Sequence, residues 1–131
     1  MLQVFKDAKN RKKLKGIDAL ELTPVKMQRH ITRDGNLITV LIPRFNWQPM
    51  HNLMVKNGRD PDFHLDLDEI GTEVWNTIDG EKKVSEIGKI LKEKFKDNDT
   101  IIERVSNDQS LVKFISMMFN NKLITFKELE N

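Results

Sequence analysis

Several things are missing from this sequence of 131 residues. It contains no cysteine, so disulfide bonds and thiol chemistry are excluded and a reducing compartment is the natural expectation. No apolar run approaches the roughly 20 residues of a membrane-spanning helix. Lys and Asp occupy the N-terminal region where a signal peptide has its apolar core. We therefore expect a cytoplasmic protein with no membrane partner.

Residues that carry out catalysis are scarce as well. We find no phosphate-binding loop, no nucleophile paired with a base and no metal cluster, so we expect no enzyme activity and no cofactor. The alternation of His64, Asp66 and Asp68 suggests a metal site at first sight. Two residues on one strand face and a third at a helix start are too few ligands for such a site. We expect no metal.

Charged residues are plentiful, yet they nearly balance. The net charge is +2, which is too small to imply a nucleic-acid partner. The charge is uneven, because residues 1–29 hold eight Lys or Arg against three acids. This pattern predicts a basic N-terminal arm over 1–22 and one domain over 23–127. A solvated terminus is the usual state of such an arm, and contact with an acidic partner, RNA or a membrane surface is the alternative.

The stretch from Phe63 to Gly80 organises the domain. Apolar residues alternate with polar ones over 63–67, which is the two-residue period of a half-buried strand. From Asp68 the spacing becomes helical, with Ile70, Val74, Trp75 and Ile78 on one face. Asp66 and Asp68 are both good N-cap residues, and Asp66 with Glu69 predicts a capping box. Asp79 and Gly80 end this helix.

Further elements lie on both sides of this stretch. Asp34 and Gly35 between two apolar runs predict a hairpin whose return strand is the central or most buried one. The elements predicted are an N-terminal helix over 1–16, strands over 25–32, 36–42 and 63–67, helices over 68–79, about 84–95 and about 100–121, and a terminal extended segment over 123–126. Ser85 is a possible cap of the second of these helices, and 106–108 are expected either to kink the long third helix or to cap a separate one. This inventory predicts an α+β, winged-helix-like domain with a three-stranded antiparallel sheet followed by three helices.

An insertion of irregular pattern separates the hairpin from the third strand. It covers about 44–62 and is expected to contain a short strand or turn at 52–56. Trp47 is expected to hold the insertion on the domain, with a contact to a partner as the alternative. Met50 and Met54 are interpreted either as gap-filling core residues or as part of an adaptable peptide groove.

The motifs after residue 63 resemble a known family. The run LDEIGTEVWNTIDGEKKVSEIGKIL at 67–91, the later helix with Asp108, Phe114 and Ile115, and the segment 121–124 are similar to the PqqD family. This is the family of coenzyme PQQ (pyrroloquinoline quinone) synthesis protein D, whose fold is also called the RiPP recognition element. The resemblance spans about 63–126 and implies three antiparallel strands packed on three helices.

The resemblance also implies an activity and a site. The family binds a precursor or leader peptide and presents it to a modifying enzyme, which is often a radical SAM protein. The peptide adds as a strand to the third strand and lies against the third helix. The site residues so implied are Phe63, His64, Leu65 and Asp66 on the strand and Val105, Asp108, Gln109 and Val112 on the helix. A Leu65→Pro change is expected to abolish binding by removing a ladder donor.

Two questions stay open at this point. A winged-helix nucleic-acid-binding or regulatory protein is the alternative function, because winged helices often read DNA. The second helix does carry six lysines, but three glutamates are interleaved with them, which is typical of a solvated face. The oligomeric state is also open between a monomer and a homodimer in which a second copy covers the strand edge.

Overall fold

The computed structural model describes residues 18–45, 47–105 and 107–129, and for Arg104 and Val105 it describes the backbone alone. The strands are β1 Pro24–Lys26, β2 Arg29–Arg33, β3 Leu37–Pro43, β4 Asp62–Asp66 and β5 Ile124–Phe126. The α-helices are α1 Gln48–Lys56, α2 Glu69–Thr77, α3 Val84–Lys94, α4 Asp99–Val105 and α5 Asp108–Asn120. The predicted N-terminal helix over 1–16 lies outside the described residues.

The chain forms two compact units. One, which we call the sheet unit, consists of residues 28–72, and the other, the helical unit, consists of the segments before and after it. The sheet unit contains a three-stranded antiparallel sheet in the order β2-β3-β4, with β3 in the centre as predicted. Gly35 and Asn36 have positive φ angles of 79° and 61° in the hairpin turn, where glycine and asparagine are favoured. The predicted α+β class, a three-stranded antiparallel sheet followed by helices, is confirmed.

The prediction of one strand over 25–32 is wrong. The chain forms two strands there, and each has a different partner. In the helical unit β1 pairs antiparallel with β5, with Val25 opposite Thr125. In the sheet unit β2 pairs with β3, with Ile31 opposite Thr39. The apolar alternation runs on through both strands, and alternation alone carries no information about which strand is the partner.

The helices after the sheet number four in the described part of the chain, where three were predicted. The long third helix is two helices, α4 and α5, which was one of the two possibilities for 106–108. Asn107 caps α5, and its side-chain carbonyl accepts a 2.8 Å hydrogen bond from the Gln109 N–H. At α3 the cap is Lys83 rather than Ser85, and the Lys83 N–H donates to the Glu86 carboxylate at 3.3 Å.

The predicted capping box at Asp66 and Glu69 is wrong. Asp68 caps α2, because its carboxylate accepts a 2.8 Å hydrogen bond from the Gly71 N–H. The Asp66 carboxylate instead accepts a 2.7 Å hydrogen bond from the Thr39 hydroxyl of β3. The Asp66 carboxylate therefore bonds within the sheet and does not cap the helix.

The insertion forms a helix, so the strand or turn predicted at 52–56 is wrong. Pro49 lies in the first turn of α1, where its missing N–H costs nothing. None of the α1 side chains is buried. Trp47 precedes the helix and is 64% exposed, so it does not hold the insertion on the domain.

The hydrophobic core lies mostly in the helical unit. Its largest buried side chains include Trp75, Phe126, Leu91 and Met118, each less than 2% exposed. α3 packs on α5 so closely that a Cβ on Gly88 would lie 2.9 Å from Leu111 Cδ2. The prediction that Trp75 is a core residue is confirmed.

Candidate functional site

β4 is an edge strand of the sheet unit. It pairs antiparallel with β3 along one side, from Asp62 opposite Pro43 to Asp66 opposite Thr39. In the residues that the structure describes, no strand pairs with its other side. The predicted strand at 63–67 is thus found one residue earlier, and its outer edge is available for another strand.

The register decides which main-chain groups of β4 face outward. The Arg44 N–H donates to the Pro61 carbonyl at 2.8 Å, and the Leu67 N–H donates to the Ile38 carbonyl at 2.9 Å. These bonds have the same register as the β3–β4 ladder and lie at its two ends. Antiparallel ladders alternate strictly between bonded and non-bonded pairs. Phe63 and Leu65 therefore bond to β3, and the main-chain groups of Asp62, His64 and Asp66 face outward.

This geometry changes the role predicted for Leu65. Its N–H points toward Val40 on β3 and completes the ladder of the sheet. It is consequently no donor for an added strand. A Leu65→Pro change breaks the sheet itself, and the outward donors are those of His64 and Asp66.

The first outward donor of β4 is already in use. The Asp60 carboxylate accepts a 2.9 Å hydrogen bond from the Asp62 N–H with one oxygen. Its other oxygen lies 2.6 Å from Nε2 of His64. The backbone hydrogen bond from Asp62 is the main cause that lowers the pKa of Asp60, and the contacts with His64 lower it further. Asp60 thus covers one end of the edge and leaves His64 and Asp66 as its open main-chain positions.

Arg33 holds the other end of the edge. Its guanidinium donates to the carbonyls of Ile38 and Leu67 and lies 3.9 Å from the Asp66 carboxylate. The planar fork of arginine suits this bridging of two carbonyl oxygens. Because β2, β3 and the end of β4 all meet at this side chain, Asp66 is held in a defined position.

The side chains of β4 differ in exposure. His64 and Asp66 are exposed, Leu65 is half-buried, and Phe63 is 53% exposed beneath the Arg44 guanidinium, 4.1 Å from its ring centre. Asp62 is buried and its carboxylate accepts a 2.9 Å hydrogen bond from Arg29. The strand thus presents both polar and apolar surface beside its outward main-chain groups.

The predicted helix residues belong to the helical unit. Asp108 and Gln109 are exposed in the first turn of α5, and the Asp108 carboxylate lies 3.7 Å from Nζ of Lys92. Val112 is 4% exposed and borders a small void of the core with Leu22, Val84 and Phe126. The side chain of Val105 lies outside the described side chains. That these four residues take part in binding stays a prediction.

The insertion forms a pocket of which sequence reasoning anticipated only Met50 and Met54, in one of two interpretations. Its two arginines, Arg44 and Arg59, line a pocket of about 520 Å³ together with Phe45, Met50, Met54 and Asp60. One sequence signal was available. Residues 44–59 hold Arg44, Lys56 and Arg59 and no acid, although the chain as a whole is nearly balanced in charge.

Within the described ranges, no group of three or more His, Asp or Glu side chains is placed to hold a metal ion. No helix among those residues is long and apolar enough to cross a membrane.

Comparison with known proteins gives one match. Residues 62–124, from the start of β4 to the start of β5, match the family model described as Coenzyme PQQ synthesis protein D, PqqD. Over these residues the chain matches the PqqD family. No curated protein and no solved structure matches the chain. The resemblance seen in the sequence is thereby confirmed.

The match to the PqqD family supports a role at the level of that family. PqqD proteins are non-catalytic accessory proteins with a peptide-binding role related to PQQ synthesis. The matched segment begins with β4, the edge strand, and includes all four helices that follow it. The hairpin of β2 and β3 and the insertion with α1 lie before the match.

Proposed function

We propose that this protein is a non-catalytic module that binds a precursor or leader peptide by strand addition to β4 and presents it to a modifying enzyme. The observation that carries the proposal is the outer edge of β4, with the main-chain groups of His64 and Asp66 directed away from the sheet. The edge lies inside the segment that matches PqqD, a family with a peptide-binding role.

The spacing of the outward groups suits an extended peptide. His64 and Asp66 are two residues apart on a strand, so their N–H and C=O groups repeat with the period of an added strand. A peptide that pairs with both residues forms up to four main-chain hydrogen bonds. Because Asp60 occupies the Asp62 N–H, pairing starts at His64.

Main-chain hydrogen bonds to the β4 edge are too weak by themselves to hold a peptide with micromolar affinity. Four hydrogen bonds contribute roughly 2–6 kcal/mol net, at about 0.5–1.5 kcal/mol each. A micromolar complex requires about 8 kcal/mol, after the cost of association has been met. Main-chain pairing therefore sets the orientation of the peptide, and contacts of its side chains supply the remaining affinity and the selectivity.

The alternative of nucleic-acid binding finds less support. Five of the six lysines between 82 and 96 form an ion pair with a carboxylate: Lys82 with Asp79, Lys83 with Glu21, Lys92 with Asp108, Lys94 with Glu73 and Lys96 with Glu93. A surface that binds phosphates presents cations that are not matched by acids. We therefore favour a peptide as the partner.

The proposal is tested with the full chain and a displayed library of random short peptides. Peptides selected by the wild-type protein are labelled, and their affinities for His64→Pro and His64→Ala variants are measured by fluorescence polarisation. Proline removes the outward N–H of His64 and is tolerated on the open side of an edge strand, whereas alanine keeps that N–H. We expect His64→Pro to weaken binding by about tenfold or more and His64→Ala to weaken it far less.

A check of folding accompanies the test. Circular dichroism and thermal unfolding should be close to wild type for both variants, because the ladder to β3 uses Phe63 and Leu65. A folded His64→Pro protein that binds the selected peptides with wild-type affinity would contradict strand addition at this edge.

A further inference from the structure

The insertion builds an open pocket on the sheet unit, which we call the arginine–methionine pocket. It has a volume of about 520 Å³ and is lined by Arg44, Phe45, Met50, Met54, Arg59 and Asp60. All six residues lie in the stretch that precedes β4 and outside the segment that matches the PqqD family. The pocket is therefore a feature of this chain beyond the family match.

The apolar part of the pocket is adaptable. Met50 and Met54 are one helical turn apart on α1, so both thioethers face the same side. Methionine side chains are flexible and polarisable and adjust to apolar groups of different shapes. Phe45 adds an aromatic face and is 47% exposed. Such a lining accepts a large aliphatic or aromatic side chain.

The charged part of the pocket is positive. Arg44 donates through Nε to the Asp60 carbonyl at 3.2 Å, and its charge also helps to lower the pKa of the Asp60 carboxylate. Within the described residues, no carboxylate forms an ion pair with Arg44 or Arg59. The Asp60 carboxylate is engaged by the Asp62 N–H and His64. The two guanidinium groups are thus available to a carboxylate from a partner.

The pocket lies next to the Asp62 end of β4, through Asp60. The Arg44 N–H bonds to the Pro61 carbonyl and extends the β3–β4 ladder by one pair. Asp60 lines the pocket and also contacts the backbone of Asp62 and the side chain of His64. A peptide paired with His64 and Asp66 therefore reaches the pocket when it continues past the Asp62 end of the strand.

We propose that the arginine–methionine pocket binds the part of the peptide adjacent to its added strand, and that it selects a segment in which a carboxylate neighbours a large apolar side chain. The carboxylate pairs with Arg59 and Arg44, and the apolar side chain packs on Met50, Met54 and Phe45. This inference rests on strand addition to β4. Main-chain pairing does not select the side chains of the peptide, and the pocket supplies that selectivity.

The test uses the same displayed library of random short peptides with three forms of the full chain. These are the wild type, Arg59→Glu, and Lys56→Glu as a matched control. Lys56 ends α1, is exposed, and lies outside the pocket lining, so its variant has the same change in net charge. The peptides selected by each form are sequenced, and the affinities of the wild-type peptides are measured for all three.

We expect wild-type selection to enrich peptides with Asp or Glu next to Leu, Ile, Met or Phe. Arg59→Glu should lose this acidic enrichment and bind the wild-type peptides about tenfold more weakly or worse. Lys56→Glu should keep the enrichment and most of the affinity. That pattern would support a local contact with Arg59 rather than an effect of net charge.

Other results overturn the inference in distinguishable ways. If the selected peptides lose affinity with His64→Pro and yet show no enrichment of acidic residues, that result overturns the proposed selectivity of the pocket and leaves strand addition to β4 intact. If Arg59→Glu and Lys56→Glu lose peptide affinity equally, the change in net charge explains the loss and no local contact with Arg59 is needed. If the pocket instead binds a second copy of this chain, analytical ultracentrifugation will show a dimer that Arg59→Glu dissociates. Failure to select any peptide would overturn both proposals.

Discussion

Asp60 determines how much of the β4 edge an incoming strand can use. Its carboxylate accepts the Asp62 N–H and pairs with His64, which removes one of three outward donors from the edge. The pKa of Asp60 is held below its usual value, mainly by the hydrogen bond from the Asp62 N–H, so the carboxylate stays ionised to a lower pH than an ordinary aspartate. Asp60 is thus an internal competitor of the peptide.

Removal of this competitor should tighten binding. In an Asp60→Ala variant the Asp62 N–H becomes available, and one additional hydrogen bond contributes about 0.5–1.5 kcal/mol, or roughly two- to tenfold in affinity. Asp60→Asn retains a side-chain acceptor and should show a smaller gain. Fluorescence polarisation with a library-selected peptide measures both, and weaker binding by Asp60→Ala would contradict this role.

Asp79 is a second residue whose carboxylate is specifically stabilised in the folded state. Hydrogen bonds from the Lys82 side chain and from the N–H groups of Glu81 and Lys82 lower the pKa of Asp79 to about 2. A carboxyl group with a lowered pKa stabilises the fold above its unfolded value, near 3.8, and this contribution is lost as the pH falls toward 2.

An Asp79→Asn variant should therefore unfold with a weaker dependence on pH in the acid range. Urea midpoints measured at neutral pH and near pH 2.5 should differ less for this variant than for the wild type. Equal differences in the two proteins would show that Asp79 has the same pKa folded and unfolded.

At the level of elements, the junction between β4 and α2 shows what the sequence can and cannot predict. The change from a two-residue period to helical spacing located both elements within one or two residues. Asp66 and Asp68 were both candidates for the cap, and the capping box predicted at Asp66 was wrong, because its carboxylate bonds to the hydroxyl of Thr39, from a distant part of the chain. Long-range partners of this kind leave no trace in a local pattern.

The cap assignment is directly testable. An Asp68→Ala variant removes the acceptor of the Gly71 N–H and should cost about 1 kcal/mol of stability, with faster exchange of the Gly71 amide hydrogen. Asp66→Ala should leave the Gly71 amide protected. If Asp66→Ala exposes the Glu69 amide to exchange and Asp68→Ala leaves the Gly71 amide protected, the capping box predicted from sequence is correct after all.

The candidate site was only partly predictable for the same reason. The strand and its polar outward residues follow from alternation, and the family resemblance pointed to its use. Which amides face outward depends on the register with β3, and so the outward donor was assigned to Leu65 although the outward amides are those of His64 and Asp66. The helix that forms the pocket was missed because Pro49 near its start and Gly58 and Pro61 after its end are typical of a loop.

At the level of the whole molecule, the buried apolar side chains are unequally divided. In the described part of the chain, the buried hydrophobic residues of the sheet unit are Ile38, Val40 and Leu67, and all others belong to the helical unit. Regions with few buried apolar contacts open locally at lower free energy. The proposed binding edge thus lies in the unit with the smaller share of the core.

This division predicts a gradient of protection in native-state hydrogen exchange. The amides of Val40 and Leu65 should exchange at least about tenfold faster than those of Leu91 and Ile115, after correction for intrinsic rates. Equal protection factors in all four would mean that both units open only by global unfolding.

Strand addition to β4 is tested most directly by amide exchange measured by NMR with and without a library-selected peptide. We predict that the amides of His64 and Asp66 become protected by about tenfold or more on binding, while those of Phe63 and Leu65, already bonded to β3, change little. Saturating peptide that leaves the His64 and Asp66 amides unchanged, with new protection elsewhere in the chain, would contradict the account.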